Sequence, residues 1–303
     1  MGIIREIWTQ DIKETLHQEN EFISQGTDHG IYTGNGVVHV PQSGAAPSVV
    51  KNRASVPATI AQRTDTDLTY LLNEFTTDPI LIKDFDEMQT SYAKRASVLG
   101  QHMRVMNESI GNEVAHDWAG SGSTDLVLET TGAATALLPH ATATGDRKEL
   151  TKEDVARMAL KLDRDKMPKS GRTLLLPASM VYELLGIDSL VRKDFGGAGD
   201  LLEGSIGKIF GFNIFMRPDV VLFNNTVTKK AVGASAAATD CLGAIAFHES
   251  AVAAATGAIK VFAEEDKAAY YGSIFSALVE HGSSIVRTDN SGIVAIRQGY
   301  VAP

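Results

Sequence analysis

Cysteine is nearly absent: Cys241 is the only one among 303 residues. One thiol excludes an internal disulfide and a cysteine-built metal cluster, and with them the disulfide-stapled design of small secreted domains. Long apolar runs are lacking too, since nowhere do the roughly 18 consecutive apolar residues of a membrane-spanning helix occur. Met1 to Glu6 hold no basic stretch leading into an apolar one, and Glu6 stands where a myristoylation motif needs Ser or Thr; no membrane partner is expected. Positive charge is in deficit, with 28 Lys and Arg against 37 Asp and Glu and a formal net charge of −9. A dedicated duplex-DNA reader is disfavoured, because phosphate binding draws on a surplus of cations.

Signatures of catalysis fail at the residues that carry the chemistry. His248-Glu249-Ser250-Ala251-Val252 opens like a zinc-protease helix and lacks the second histidine, so two ligands never share a face. After Gly197 and Gly199, Leu202 replaces the third small residue of a dinucleotide fingerprint, and Gly207-Lys208 is followed by Ile209 where a phosphate loop needs Ser or Thr. Cys241 has no basic neighbour in sequence, and no Gly-x-Ser-x-Gly elbow presents a serine. His102 and His116, near Glu108, Glu113 and Asp117, read as solvated pairs on the polar side of a helix. Two glycosylation sequons, at Asn107 and Asn224, carry no weight without a secretory signal. No catalytic residue, cofactor or metal is assigned.

What is present is a full-sized globular chain, 44% apolar and 21% charged, with enough apolar surface for a core and too much for disorder over most of its length. Ile4, Trp8, Ile12 and Leu16 recur every four residues, the spacing of a short amphipathic helix. From Gly26 to Phe75 glycine and proline punctuate short β-branched runs. Val37-Val38-His39-Val40, the alternation at Val56, Ala58 and Ile60, and that at Leu68, Tyr70 and Leu72 predict strands. This stretch has few large apolar residues and must borrow burial from elsewhere.

The strongest periodicity runs from Asp84 to Trp118. Phe85, Met88, Tyr92, Ala96, Leu99, Met103, Met106, Ile110, Val114 and Trp118 advance about 3.7 residues per step, predicting one nearly straight helix about 50 Å long with a single buried face. Gly120-Ser121-Gly122-Ser123 ends it. Thr151 and Asp154 cap a second helix through Val155, Met158, Ala159 and Leu162; a buried strand follows at Thr173–Leu176, then a helix from Ala178 to Leu185 stopped by Gly186. Residues 206–215 read as two strands about a glycine-bearing turn. Gly243–His248, Ile259–Phe262, Tyr270–Val279, Ser284–Arg287 and Ile293–Arg297 read as β-rich, with Asp289-Asn290-Ser291-Gly292 supplying a turn.

This order of parts resembles the major capsid protein of tailed bacteriophages, the Hong Kong 97 fold. Supporting residues are Pro79-Ile80-Leu81-Ile82 before the long helix, Leu174-Leu175-Leu176-Pro177 before a short one, and Gly207-Lys208-Ile209-Phe210-Gly211-Phe212 after a glycine-rich loop. In the tail they are Ala246-Phe247-His248, Ala251-Val252, Tyr270-Tyr271-Gly272, Val279-Glu280-His281-Gly282 and Arg287-Thr288-Asp289 through Gly292-Ile293. The resemblance implies an α+β fold with an N-terminal arm at 1–35, an extended β loop at 36–76 and a peripheral domain at 77–148 whose spine helix spans 84–118. It places an α/β axial domain at 149–258, a return to the peripheral domain at 259–283 and axial C-terminal strands at 284–303.

The resemblance also implies a structural role, without enzymatic activity. Hexamers and pentamers of the chain would form an icosahedral virion shell, assembled in the host cytoplasm around double-stranded DNA that is contacted non-specifically. Partners would be the chain itself, a portal and decoration proteins. A separate scaffolding protein is expected too, because the long helix begins at Asp84 and leaves no room for a fused scaffold. Some relatives join subunits by Lys–Asn crosslinks; Lys51 sits in the extended loop, but spacing identifies neither an Asn partner nor a catalytic Glu, and no crosslink is assigned. The expected inter-subunit contacts are Trp8 and Ile12 in the arm and Val49, Val50 and Ile60 in the loop. The alternatives are an encapsulin-type shell that encloses cargo enzymes, on the same fold, and an α/β enzyme whose site is scattered in sequence.

Overall fold

The structure is a computed structural model that describes residues 20–34, 36–44, 48–54, 57, 60, 62–83, 94–135, 138–186 and 208–302. In chain order the first strands are β1 (Thr27–Asp28), β2 (Thr33–Gly34), β3 (Val37–Gln42), β4 (Thr66–Leu71), β5 (Asn73–Thr76) and β6 (Ile80–Lys83), followed by the long helix α1 (Lys94–Trp118). Next come β7 (Val127–Glu129), β8 (Ala134–Thr135), β9 (Asp146–Lys148), helix α2 (Lys152–Arg164), β10 (Arg172–Pro177) and helix α3 (Ala178–Leu185). The chain then adds β11 (Lys208–Ile209), β12 (Phe212–Arg217), β13 (Val221–Phe223), β14 (Cys241–His248), β15 (Val252–Lys267), β16 (Gly272–Ile285), β17 (Ile293–Arg297) and β18 (Tyr300–Val301).

Two sheets organise the molecule. The larger has seven strands in the order β11-β12-β10-β14-β17-β7, with β13 also paired to β14. Every residue of β10, β14 and β17 is buried, because both faces are covered, and such strands read as unbroken apolar runs. Alternation sorts them: Leu174, Leu176, Ala244, Ala246, Val294 and Ile296 meet α2 and α3, while Leu175, Ile245, Phe247, Ile293 and Ala295 face the core shared with α1. The smaller sheet runs β1-β15-β16-β5, with β6 also on β16. Helix α1 packs against it through Met106, Ile110, Val114 and Trp118, which are buried with Val261, Ala277 and Val279.

The sequence reading of the second half of the chain holds closely. Thr151 and Asp154 form a reciprocal capping box at the start of α2, and β10 and α3 fall where predicted. Residues Lys208–Ile209 and Phe212–Arg217 pair through a two-residue turn in which Phe210 and Gly211 both take positive φ, 49° and 87°. That is the turn whose twist suits a hairpin, and glycine is the residue that reaches its second position without strain.

Some expectations fall outside the described residues and others are corrected. The described helix is Lys94–Trp118; Phe85, Met88 and Tyr92, expected on its buried face, lie outside the described residues, as do the side chain of Leu99, Val56 and Ala58 of the expected loop strand, and the glycine loop 195–200. His102 is not on a solvated face: it is 6% exposed, with Nδ1 2.7 Å from the Thr77 hydroxyl. Asn107, one of the sequon residues, is also buried. The β-rich patches between 252 and 287 are one hairpin of two long strands, so the expected boundaries at 258/259 and 283/284 cut through β15 and β16. Val127–Glu129, which the resemblance placed in the peripheral domain with the spine helix, pairs with β17 in the larger sheet.

Candidate assembly surfaces

The first surface is the extended segment between β3 and β4. Its base is held: Val38 and Tyr70 bury against Ala255 of β15, and the Tyr70 hydroxyl lies 3.3 Å from His29 Nδ1. Burial pushes the Tyr70 phenol well above its ordinary range. Further out, His39 Nδ1 meets Asp67 Oδ2 at 2.8 Å and the Gly44 amide donates to Asp65 Oδ1 at 2.8 Å. Past that point Val49 and Ile60 are each 96% exposed and Val50 is half-exposed. Lys51 and Asn52 form a turn between them, with Asn52 at φ 53°. Trp8 and Ile12, the contacts expected in the arm, lie outside the described residues.

The second element is the joint that fixes α1 to both sheets. The Trp118 indole N–H donates to the carbonyl of Ala253 at 3.1 Å, and its ring meets Phe22 and Phe247 edge-on, at 5.8 and 4.9 Å between centroids. Gly111 explains itself here: a Cβ would lie 2.3 Å from Asn20 Oδ1 and 2.6 Å from an Arg217 guanidinium nitrogen. Its helix cost of about 1 kcal/mol relative to alanine makes room for the chain entering at Asn20. Asn20 in turn donates to the carbonyl of Asn107 at 3.0 Å.

Sequence reasoning missed three features. Large apolar side chains stand at exposed turn and helix positions, among them Tyr271 at 81%, Phe210 and Val105; single exposed apolar residues leave no periodic signature. Arg147 is wholly buried with no carboxylate partner among the described residues and donates instead to the carbonyls of Thr144, Ala238 and Asp240. Arg172, also buried, binds Asp163 Oδ1 at 2.6 Å and the carbonyls of Met167 and Pro168. These guanidiniums staple loops, a role that charge counts cannot show.

The chemistry-bearing residues singled out by sequence have structural occupations. His248 accepts the Ser250 amide on Nδ1 and so caps a short 3-10 turn. Cys241 is buried, and burial pushes its thiol up, away from a reactive thiolate. Asn224 accepts from the Thr226 amide and hydroxyl. Among the described residues no three His, Cys, Asp or Glu side chains are grouped to hold a metal ion, and no helix is long and apolar enough to cross a membrane.

Comparison with solved structures finds the same architecture in phage particles. A chain from the capsid of the cyanophage P-SCSP1u superposes with a TM-score of 0.64 at 20% identity, covering 92% of this chain and 86% of that one. One from Mycobacterium phage Che8 gives 0.61 at 21% identity, over 91% and 90%. The mature capsid of bacteriophage PhiM1 gives 0.61 at 13% identity, over 91% and 86%. At these identities the likeness establishes the fold, an α+β fold of the Hong Kong 97 type. Among curated proteins no sequence matches. The family model described as phage capsid protein matches residues 28–298, nearly the whole chain, and the protein therefore belongs to the phage capsid protein family as a structural component of the virion shell.

Proposed function

We propose that the chain is the building block of an icosahedral tailed-phage head, self-assembling into hexamers and pentamers that enclose double-stranded DNA. The observation that carries this reading is the extended segment, clamped at its base on β15 and offering Val49 and Ile60 almost fully to solvent. Burying such a side chain yields roughly 1.5–3 kcal/mol, and repetition around a closed shell multiplies modest contacts into a stable particle. In this reading residues 36–76 lie on the next subunit. The peripheral and axial domains of this reading divide within the long β15–β16 hairpin, Val127–Glu129 counts with the larger sheet into which it pairs, and the arm at 1–35 adds Trp8 and Ile12 to the contacts. A scaffolding protein, a portal and decoration proteins complete the particle, which assembles in the host cytoplasm. The net charge of −9 suits a wall that contacts packed DNA without gripping it.

The test is to express the chain alone and with a candidate scaffold, measure particle mass by light scattering and image the product by negative stain. Hollow shells or capsomers of five and six subunits are expected, and particles from infected cells should contain DNA. A monomer or dimer unchanged by the scaffold overturns the proposal. Shells filled with protein cargo replace it with the cargo-enclosing alternative.

A further inference from the structure

Around the larger sheet most cations are occupied. Arg157 meets Asp154, Lys230 meets Asp240 and Arg297 meets Glu129, while Arg147 and Lys229 are taken up by backbone carbonyls. Four exposed cations break this pattern, and they share one corner. Arg164, Lys166 and Lys169 fall within six positions at the end of α2, and Lys208 begins β11. The two parts adjoin, since Lys169 and the Phe210-Gly211 turn line one groove with Asp163 and Arg172. None of the four makes an ion pair among the described residues. Two features show that the corner is arranged. Its carboxylates are taken up by the body: Asp163 Oδ1 holds Arg172 at 2.6 Å, and Asp165 holds Lys161 at 2.6 Å and the Gly292 amide at 3.1 Å. Lys166 follows the C-cap Asp165 at φ 59°, the left-handed position where a helix ordinarily places glycine or asparagine. A lysine is strained there, and its charge is what glycine lacks. The helix dipole accounts for a cation in the last turn of α2, and its influence ends within that turn, short of Lys169 and Lys208.

The uncharged exposed residues along the α2–β10 connection are Pro168 and Ser170, while Met167 is buried. This connection lacks the large apolar anchor on which protein partners usually depend. Lysine and arginine without such an anchor suit a phosphate backbone, which binds through charge and the release of counterions. We propose that Arg164, Lys166, Lys169 and Lys208 form a contact for the phosphate backbone of duplex DNA. The inference rests on the reading of the chain as the wall of a DNA-filled head, and it names the surface that touches the contents. Four phosphates per copy bind weakly, in keeping with an overall charge of −9, and repetition over the copies of a shell makes the sum of these contacts appreciable.

Fluorescence anisotropy of a short labelled duplex, titrated with the unassembled full-length chain between about 20 and 200 mM salt, tests the proposal. Binding should be present at the low end and vanish toward the high end, with log affinity falling by about 3 to 4 per decade of salt. Lys166→Gly with Lys169→Gln removes two cations and puts glycine at the left-handed position. It should bring that slope to about 2 for any DNA sequence, with the fold intact by circular dichroism. Arg164→Gln with Lys208→Gln should do the same from the other side of the corner. Lys260→Gln, an exposed cation on β15, should leave the slope unchanged. Equal slopes for the parent and both double variants overturn the proposal, as does the absence of salt-dependent binding. Poly-glutamate bound more tightly than the duplex at the same salt assigns the corner to an acidic protein segment and overturns it as well. Light scattering of the same chains keeps the two readings apart. Shells or capsomers from a parent whose slope the variants do not change overturn this inference alone, whereas a chain that never assembles, with or without a scaffold, overturns the shell reading.

Discussion

Glu183 shows what burial does to a single side chain. It sits on α3 with Oε2 accepting the Leu150 amide at 2.8 Å, while Oε1 is buried without a partner among the described residues. Burial pushes its carboxyl up to about 7, the Leu150 hydrogen bond pulls the other way, and the nearby Glu149 charge adds to the rise. Below the ordinary carboxylate pKa near 4.5 both folded and unfolded chains hold this proton, and nothing is lost. As pH climbs from about 4.5 to about 7 the unfolded chain releases it while the folded one retains it, so stability falls across that window and levels off above it. Glu183→Gln keeps an acceptor for Leu150 and cannot ionise. Its unfolding temperature, measured between pH 4.5 and 8, should therefore lose less than that of the parent protein as pH rises. Parallel profiles would show that Glu183 is not the group responsible. Nothing in the sequence around Glu183 marks it, since its environment comes from Leu150, 33 positions away. His102 is a similar case: periodicity placed it on the outer face of α1, and Thr77 together with the strands beside it made that face an interior.

Elements differ in how far local residues specify them. Helix α2 was legible because its start is written locally, with Thr151 accepting the Asp154 amide and Asp154 accepting the Thr151 amide in return. Asp154 does more than cap. It is fully buried and also accepts the Thr131 amide at 3.0 Å, the Thr131 hydroxyl at 2.8 Å and Arg157 at 3.0 Å. Thr151→Ala should cost about 1 kcal/mol, the ordinary loss of a cap. Asp154→Ala should cost roughly 2 kcal/mol or more, because the amide and hydroxyl of Thr131, 23 positions away, lose a charged acceptor along with the cap. Denaturant unfolding of both variants checks this, and equal losses would reduce Asp154 to a cap. The β15–β16 hairpin was legible only in pieces. Its register shifts between Thr256 and Ile259 and again between Glu264 and Lys267, each placing one extra residue on β15. A bulge of this kind reverses which alternate residues face the core, so one continuous strand reads as separate short runs.

For the whole molecule, subunit stability and assembly should separate at the extended segment. Val49 and Ile60 contribute nothing to the interior of their own chain, being almost fully exposed. Val49→Asp and Ile60→Asp should leave the unfolding temperature of the unassembled subunit within about 1–2 °C of the parent, since substitutions at exposed sites usually change stability by less than 0.5 kcal/mol. Capsomer or shell yield should fall tenfold or more if each side chain is buried at every contact. Circular dichroism of the subunit and sedimentation of the assembly reaction read the two effects apart. Normal particles from both variants would remove these residues from the interface.

The sequence by itself determined what one segment can settle alone. It specified the helix up to Trp118 through its spacing, the capping box of α2, the doubly covered strand at Thr173–Leu176 and the glycine-bearing turn at Phe210-Gly211. It also specified a stretch from 26 to 75 too poor in apolar residues to bury itself. Each of these rests on contacts within a few residues or on a repeat of fixed period. Only the tertiary structure decided that Val127–Glu129 joins the larger sheet, that β15 and β16 run unbroken through two bulges, and that Arg147 and Arg172 are buried staples. It alone turned His102 inward against Thr77. Those outcomes depend on partners tens to hundreds of positions distant, such as Val127 beside Ala295, and a linear pattern holds no record of which distant backbone will arrive to cover a side chain.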